Sequence, residues 1–156
     1  MLNLRKANND DLPLMMAWRS NPLVYEGFYQ QTKPLQWGEH EHWFSARNKG
    51  WRTFIIEYME RPVGVVTIGQ LDHWSPEIGY YVGEVSLWNC GVGTHAVSLA
   101  LDYLEKKRYE HCHTTVLETN KASLKLLEKL GFEILGKARE GELWLTRKLR
   151  QARMTG

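Results

Sequence analysis

The sequence predicts an α+β domain: a mixed, mostly antiparallel sheet of about seven strands with helices on both faces. Three observations carry this. The period of the apolar residues switches along the chain in the order β-α-α-β-β-β-α-β-α-β-β. The 156 residues are 43% hydrophobic and 24% charged, enough for one ordinary core without a disulfide or metal staple. Finally, the strand Glu77 to Gly83 empties into a glycine-bearing turn, Trp88 to Thr94, that opens a long amphipathic helix.

Taken in order, Leu2 to Ala7 alternates as a half-buried strand. Asn9 or Asp10 caps the next helix, with Pro13 tolerated in its first turn, and Asn21-Pro22 breaks it. Tyr25 to Pro34 reads as a loop or short helical turn. A second helix runs from Leu35 to about Asn48, ended by Lys49-Gly50. Trp51 to Tyr58 and Val63 to Leu71 are strands joined by a turn at Glu60-Arg61-Pro62, with Gly64 at a bulge or close approach. After the strand at Glu77 comes a helix from about Val92 to Lys107, with Ala96, Leu99, Ala100, Tyr103 and Leu104 on one face. His113 to Glu118 is a strand, Asn120 to Leu130 a short helix stopped by Gly131, and Phe132 to Leu149 a hairpin. Residues 1–150 form one domain, and 151–156 are expected to fray.

Composition excludes several classes. A net charge of +2 without a basic run argues against nucleic acid. No apolar stretch approaches the roughly 20 residues that span a bilayer, and no signal-peptide core opens the chain. Cys90 and Cys112 make no metal-ligand spacing and suit a reducing compartment, so a cytoplasmic protein is expected. The pairs His40/His42 and His111/His113 lack a third ligand at suitable spacing, so no metal is expected.

The turn after the strand carries the first chemistry. Backbone N–H groups at a helix start are unpaired and face outward with the positive end of the helix dipole behind them. Gly91 and Gly93 would let phosphate oxygens approach that main chain. A second motif, Asn120-x-x-Ser123 followed by Leu127-Glu128-Lys129-Leu130-Gly131-Phe132, lies on the following helix.

Together the two motifs resemble the GNAT superfamily of acyl-CoA N-acyltransferases, over nearly the whole chain. The first stands for the family's Q/R-x-x-G-x-G/A pyrophosphate loop, with Trp88 where Arg or Gln is usual; the second is similar to N-x-x-(A/S)…K-x-G-F. The resemblance implies acetyl-CoA as co-substrate and a sheet splayed between the fourth and fifth strands. Tyr81, Val82, Trp88, Asn89, Cys90, Gly91, Val92, Gly93, Thr94, Asn120 and Ser123 would contact the cofactor. It also implies Glu77 as general base, directly or through water, and the Val82 N–H as oxyanion donor. A surface ion pair is the other reading of Glu77, and His73 is a second candidate base. Relatives often carry an acidic Tyr where this chain has Leu127, which leaves Ser123 as candidate acid; a hydrogen bond to its own helix is the alternative.

The acceptor would be a small-molecule amine. Trp18-Arg19-Ser20-Asn21-Pro22-Leu23-Val24 and Glu39-His40-x-x-Trp43-Phe44 resemble the GNAT subgroup that acetylates nucleotide-linked 4-amino sugars in pseudaminic-acid synthesis. Trp18, Arg19, His40, Trp43 and His73 are therefore candidate substrate contacts, since aromatic rings suit sugar faces and bases. Trp18 and Trp43 read equally as core, and Arg19 suits a phosphate or a local carboxylate. N-terminal acetylation of ribosomal or other proteins, aminoglycoside modification and a non-catalytic acyl-CoA sensor are the other readings. Exposed aromatics fit either a pocket or a homodimer interface.

Overall fold

The computed structural model describes residues 1–29, 31–46 and 50–150. The expected frayed tail, and the end of the helix expected to reach Asn48, lie outside the described residues. The elements are β1 (Leu2–Lys6), α1 (Leu12–Arg19), α2 (Pro22–Tyr25), α3 (Trp37–Ala46), β2 (Arg52–Tyr58), β3 (Arg61–Gly69), β4 (Glu77–Val82), α4 (Val92–Lys106), β5 (His111–Leu117), α5 (Lys121–Lys129), β6 (Glu133–Arg139) and β7 (Glu142–Lys148). Neither Asn9 nor Asp10 is the first cap: Asn8 accepts from Asp10 N–H and caps a 3-10 turn, Asn9–Asp11, that leads into α1. α1 ends at its C-cap Ser20, and Asn21 caps α2 through the Leu23 N–H, with Pro22 at the first helical position, so a short helix follows directly on the expected break.

All seven strands lie in one sheet of order β1-β2-β3-β4-β5-β7-β6, antiparallel except for β4 beside β5. Helices cover both faces. On one, α4 packs over β1, β3 and β4, and its Ala96, Val97, Ala100, Leu101 and Leu104 join Ile56, Val66, Ile78, Leu127 and Leu145 in the main core. On the other, α1 and α3 enclose a smaller core of Ala7, Met15, Trp18, Ile55 and Val65. Strand period two explains why Ile55 and Ile56, or Val65 and Val66, serve different cores. Among the described residues no helix is long and apolar enough to cross a membrane.

The sheet is split at its centre. β3 and β4 pair along the whole of β4, from Gly64↔Val82 to Gly69↔Glu77. β4 and β5 pair only at Glu77↔His113, anchored by the His113 N–H to the Pro76 carbonyl at 3.0 Å. Just beyond, the Thr114 hydroxyl donates to the Ile78 carbonyl at 2.6 Å, replacing a main-chain rung with a side chain. The strands then diverge, as the splayed-sheet expectation required.

Candidate active site

The direction of main-chain groups beside the split follows from the register. The Gly83 N–H donates to the Val63 carbonyl at 2.8 Å, which makes Val65↔Tyr81 a hydrogen-bonded pair and Gly64↔Val82 and Val66↔Tyr80 non-bonded pairs. Tyr81 therefore spends its main-chain groups on β3. Those of Ile78, Tyr80 and Val82 point across the split towards β5. Two carbonyls there are occupied by side-chain donors: Ile78 by Thr114, and Val82 by the Trp88 indole N–H at 2.8 Å.

At the far end of the split, Trp88 to Gly91 turn the chain into α4. Asn89 and Gly91 hold left-handed conformations (φ 63° and 83°), and Gly91 is the residue before the first helical turn. A Cβ on Gly91 would meet nothing within 4 Å, so solvent or a ligand has free access to the N–H groups behind it. Gly93 is a close-packing position instead. A Cβ there would lie 3.1 Å from the Leu126 side chain and 3.4 Å from the Tyr80 ring.

A cleft of about 630 Å³ opens from the split onto the α1–α3 side of the sheet. Its walls include Arg19, Phe28, Tyr29, Glu39, His40, Trp43, Glu77, Tyr80, Tyr81, Asn120 and Ser123. The cleft thus brings together candidates from four elements and a loop. Glu77 is half-buried and makes no ion pair among the described residues, unlike the surface-pair reading of it. Ser123, on α5, shares a 2.6 Å hydrogen bond with the Tyr80 hydroxyl, while Asn120 caps that helix by accepting from the Ser123 N–H at 3.2 Å. Burial pushes the Tyr80 phenol up from its ordinary range, against the Ser123 hydrogen bond that lowers it.

The opposite wall holds polar groups with little to satisfy them. His40 is 1% exposed, stacked on Trp43 at 5.6 Å with 11° between the rings. Neither of its nitrogens has a hydrogen bond of good geometry among the described residues, although the Leu12 main chain lies near enough to favour protonation. Burial first and the charge of Arg19 second hold its pKa below the ordinary value. The Tyr81 hydroxyl is buried without a hydrogen-bond partner among the described residues, and burial raises its pKa well above the ordinary phenol value, with Arg19 opposing. Arg19 itself lies 4.5 Å over the Phe28 ring and donates through Nε and Nη2 to the Gln31 amide oxygen at 3.2 and 2.8 Å. No carboxylate pairs with it among the described residues, and burial lowers its pKa.

The family model of the acetyltransferase (GNAT) domain matches residues 1–133. The chain belongs to this family. A protein of Methanocaldococcus jannaschii is 43% identical over 145 residues; the match takes in 91% of the present chain but only 30% of that protein, which is far longer. The crystal structure of a domain from the same organism superposes with a TM-score of 0.91 at 41% identity, over 96% of this chain and 99% of that one. Spermidine N-acetyltransferase from Vibrio cholerae, in complex with CoA and spermine, shares the fold: TM-score 0.84 at 18% identity, over 94% and 95% of the two chains.

Two expected substrate contacts of this GNAT domain lie outside the cleft. Trp18 is 5% exposed, with its indole N–H on Glu84 at 2.9 Å and its ring against Gly83, where any Cβ would collide with it. It fixes the end of β4. His73 sits in the turn before β4, accepts the Ser75 N–H at 3.2 Å and leans on exposed Trp74. Val82 and residues 88–94 lie beyond the cleft's lining, at the α4 end of the split. Leu127 is fully buried in the main core. Tyr80, Phe28 and Gln31 are the residues that the sequence reading missed. For Tyr80 a signal existed, since strand alternation groups it with Ile78 and Val82 on the α4 side.

Proposed function

We propose that this domain transfers an acetyl group from acetyl-CoA to the primary amine of an amino sugar that carries an anionic handle, as in a nucleotide-linked sugar. The transfer is direct, within a ternary complex. The observation that carries the acceptor class is the wall of Arg19, His40 and the Tyr81 hydroxyl. A half-buried guanidinium without a carboxylate, beside buried polar groups that have no hydrogen-bond partner among the described residues, is costly unless a ligand completes it. A phosphate would take bidentate hydrogen bonds from Arg19, and the Trp43, Phe28 and Tyr29 rings suit a sugar or base face.

The residues also fit acetyl-CoA. The open main chain at Gly91, behind it a 15-residue helix, and the outward-facing groups of Tyr80 and Val82 offer donors for phosphates and for the amides of the pantetheine arm. Each helix-end charge interaction contributes only about 0.3–1 kcal/mol, so direct N–H contacts supply most of the hold. Asn89, Cys90, Val92 and Thr94 would contribute through backbone alone. In the reaction Glu77 accepts the proton that the attacking amine sheds, and the Val82 N–H faces the carbonyl oxygen as negative charge develops there.

A panel of amines assayed by free-thiol release tests the reading: nucleotide-linked amino sugars, free amino sugars, N-terminal peptides, polyamines and aminoglycosides. Nucleotide-linked amino sugars should give the highest kcat/KM, and Arg19→Gln should raise their KM while leaving that for acetyl-CoA unchanged. Preferred turnover of peptides would point to N-terminal acetylation. No turnover of any amine, with acetyl-CoA still bound, would make the domain a sensor.

A further inference from the structure

Acetyl transfer from a thioester leaves a thiolate that must gain a proton, and Glu77 cannot both take the amine's proton and give one at the same moment. A second group is therefore needed on the sulfur side of the split. Tyr81 lies on the opposite face of β4, its ring 5.3 Å from Phe28 and 6.2 Å from Trp18. Glu142 is bound to Arg139 at 2.9 Å. Leu127 has no proton to give. What remains is the hydroxyl pair of Tyr80 and Ser123, oxygens 2.6 Å apart, joining β4 to α5 across the split.

We propose that Tyr80 is the acid that protonates the departing thiolate, and that Ser123 is the positioning residue that aims its hydroxyl. The inference rests on the acetyl-transfer reading above. Of the two hydroxyls only the phenol can do this. Its ordinary pKa is about 10, near the roughly 8.5 of a free thiol, whereas an aliphatic alcohol is a far weaker acid. Position agrees. The Tyr80 ring lies beside Gly93, between the turn that fits phosphates and the floor of the cleft, so its hydroxyl stands where a pantetheine arm threading the split would end. Ser123 is itself held, because Asn120 captures its N–H in the first turn of α5. Burial keeps the Tyr80 phenol protonated through the neutral range.

The step balances without a further reactant. As the C–N bond forms the C–S bond breaks, and its electron pair passes to sulfur. The Tyr80 proton goes to sulfur and yields the free thiol. Solvent reprotonates the phenolate through Ser123, and the amine's surplus proton leaves by Glu77.

The test uses Tyr80→Phe, which keeps the ring, and Ser123→Ala. With CoA bound, ultraviolet titration of its thiol should show a pKa about one unit lower in the wild type than in Tyr80→Phe, a tenfold shift in ionisation, because a phenol hydrogen bond favours the thiolate. With an acceptor, Tyr80→Phe should lose about tenfold to a hundredfold in kcat and change KM for acetyl-CoA less than twofold. Ser123→Ala should lose less, and its alkaline limb should move to higher pH, since the hydrogen bond it removes lowers the Tyr80 pKa. Full kcat with an unchanged thiol titration overturns the proposal, as does a loss confined to acetyl-CoA affinity. Should Tyr80→Phe fail to fold by circular dichroism, the thiol titration and alkaline limb of Ser123→Ala decide. If no amine turns over, the thiol titration still answers for Tyr80 while the transfer reading fails by itself.

Discussion

At His40, burial first and the nearby charge of Arg19 second work against protonation. Its folded pKa lies below the unfolded value of about 6.5, so under that pH the unfolded chain binds the proton more readily. Stability should fall as pH drops through about 6.5, and His40→Gln should flatten that slope; thermal melts at stepped pH read it. An unchanged slope would mean that His40 does not titrate against folding. Glu77→Gln should lower kcat with little change in acetyl-CoA affinity, and a full-rate variant would take Glu77 out of the mechanism. Residue types told the cleft from the core only in part. Trp18 and Trp43 looked alike in the sequence, but Gly83 gives Trp18 a bed in the core while Trp43 remains at the cleft wall. Tyr80 and Tyr81 stand side by side and face opposite ways, so a register was needed to separate their tasks. A buried hydroxyl without a partner among the described residues, such as that of Tyr81, has no signature in a sequence at all.

Among the elements, the β4–α4 unit was legible because its devices are local: an apolar strand, a left-handed glycine and an amphipathic helix. Gly91→Asp keeps a residue type that tolerates φ near 83° better than most, yet sets an anion where phosphates would bind. Acetyl-CoA binding measured by calorimetry should disappear while the variant stays folded. Retained affinity would sink the phosphate assignment. The ends of elements were less legible. Asn8 rather than Asn9 or Asp10 caps the first turn, because the Asn8 and Asp11 side chains cap each other's main chain reciprocally. The two-residue-spaced histidines of β5 show the same limit: His113 meets Ser75 at 3.3 Å and the Trp144 ring, neither of which its own strand could announce.

For the whole molecule, element order and period were enough to give the class and the covering of both sheet faces, since each helix needs an apolar face to bury. The strand order was not written in any one segment. The resemblance implied the splay between the fourth and fifth strands but no order, because a crossover that separates β5 from β7 by an intervening α5 and β6 depends on contacts far apart in the chain. The split has a further consequence. With one rung between β4 and β5, the sheet is two ladders, β1–β4 and β5–β7–β6, that share a core but scarcely a hydrogen-bond network. Units tied mainly by packing can open separately, and a ligand that bonds to the facing main chain would bind them into one cooperative block. Native-state amide exchange should therefore show two protection classes in the free protein, divided between β4 and β5. They should merge when CoA binds, with Tyr80 and Val82 gaining the most protection.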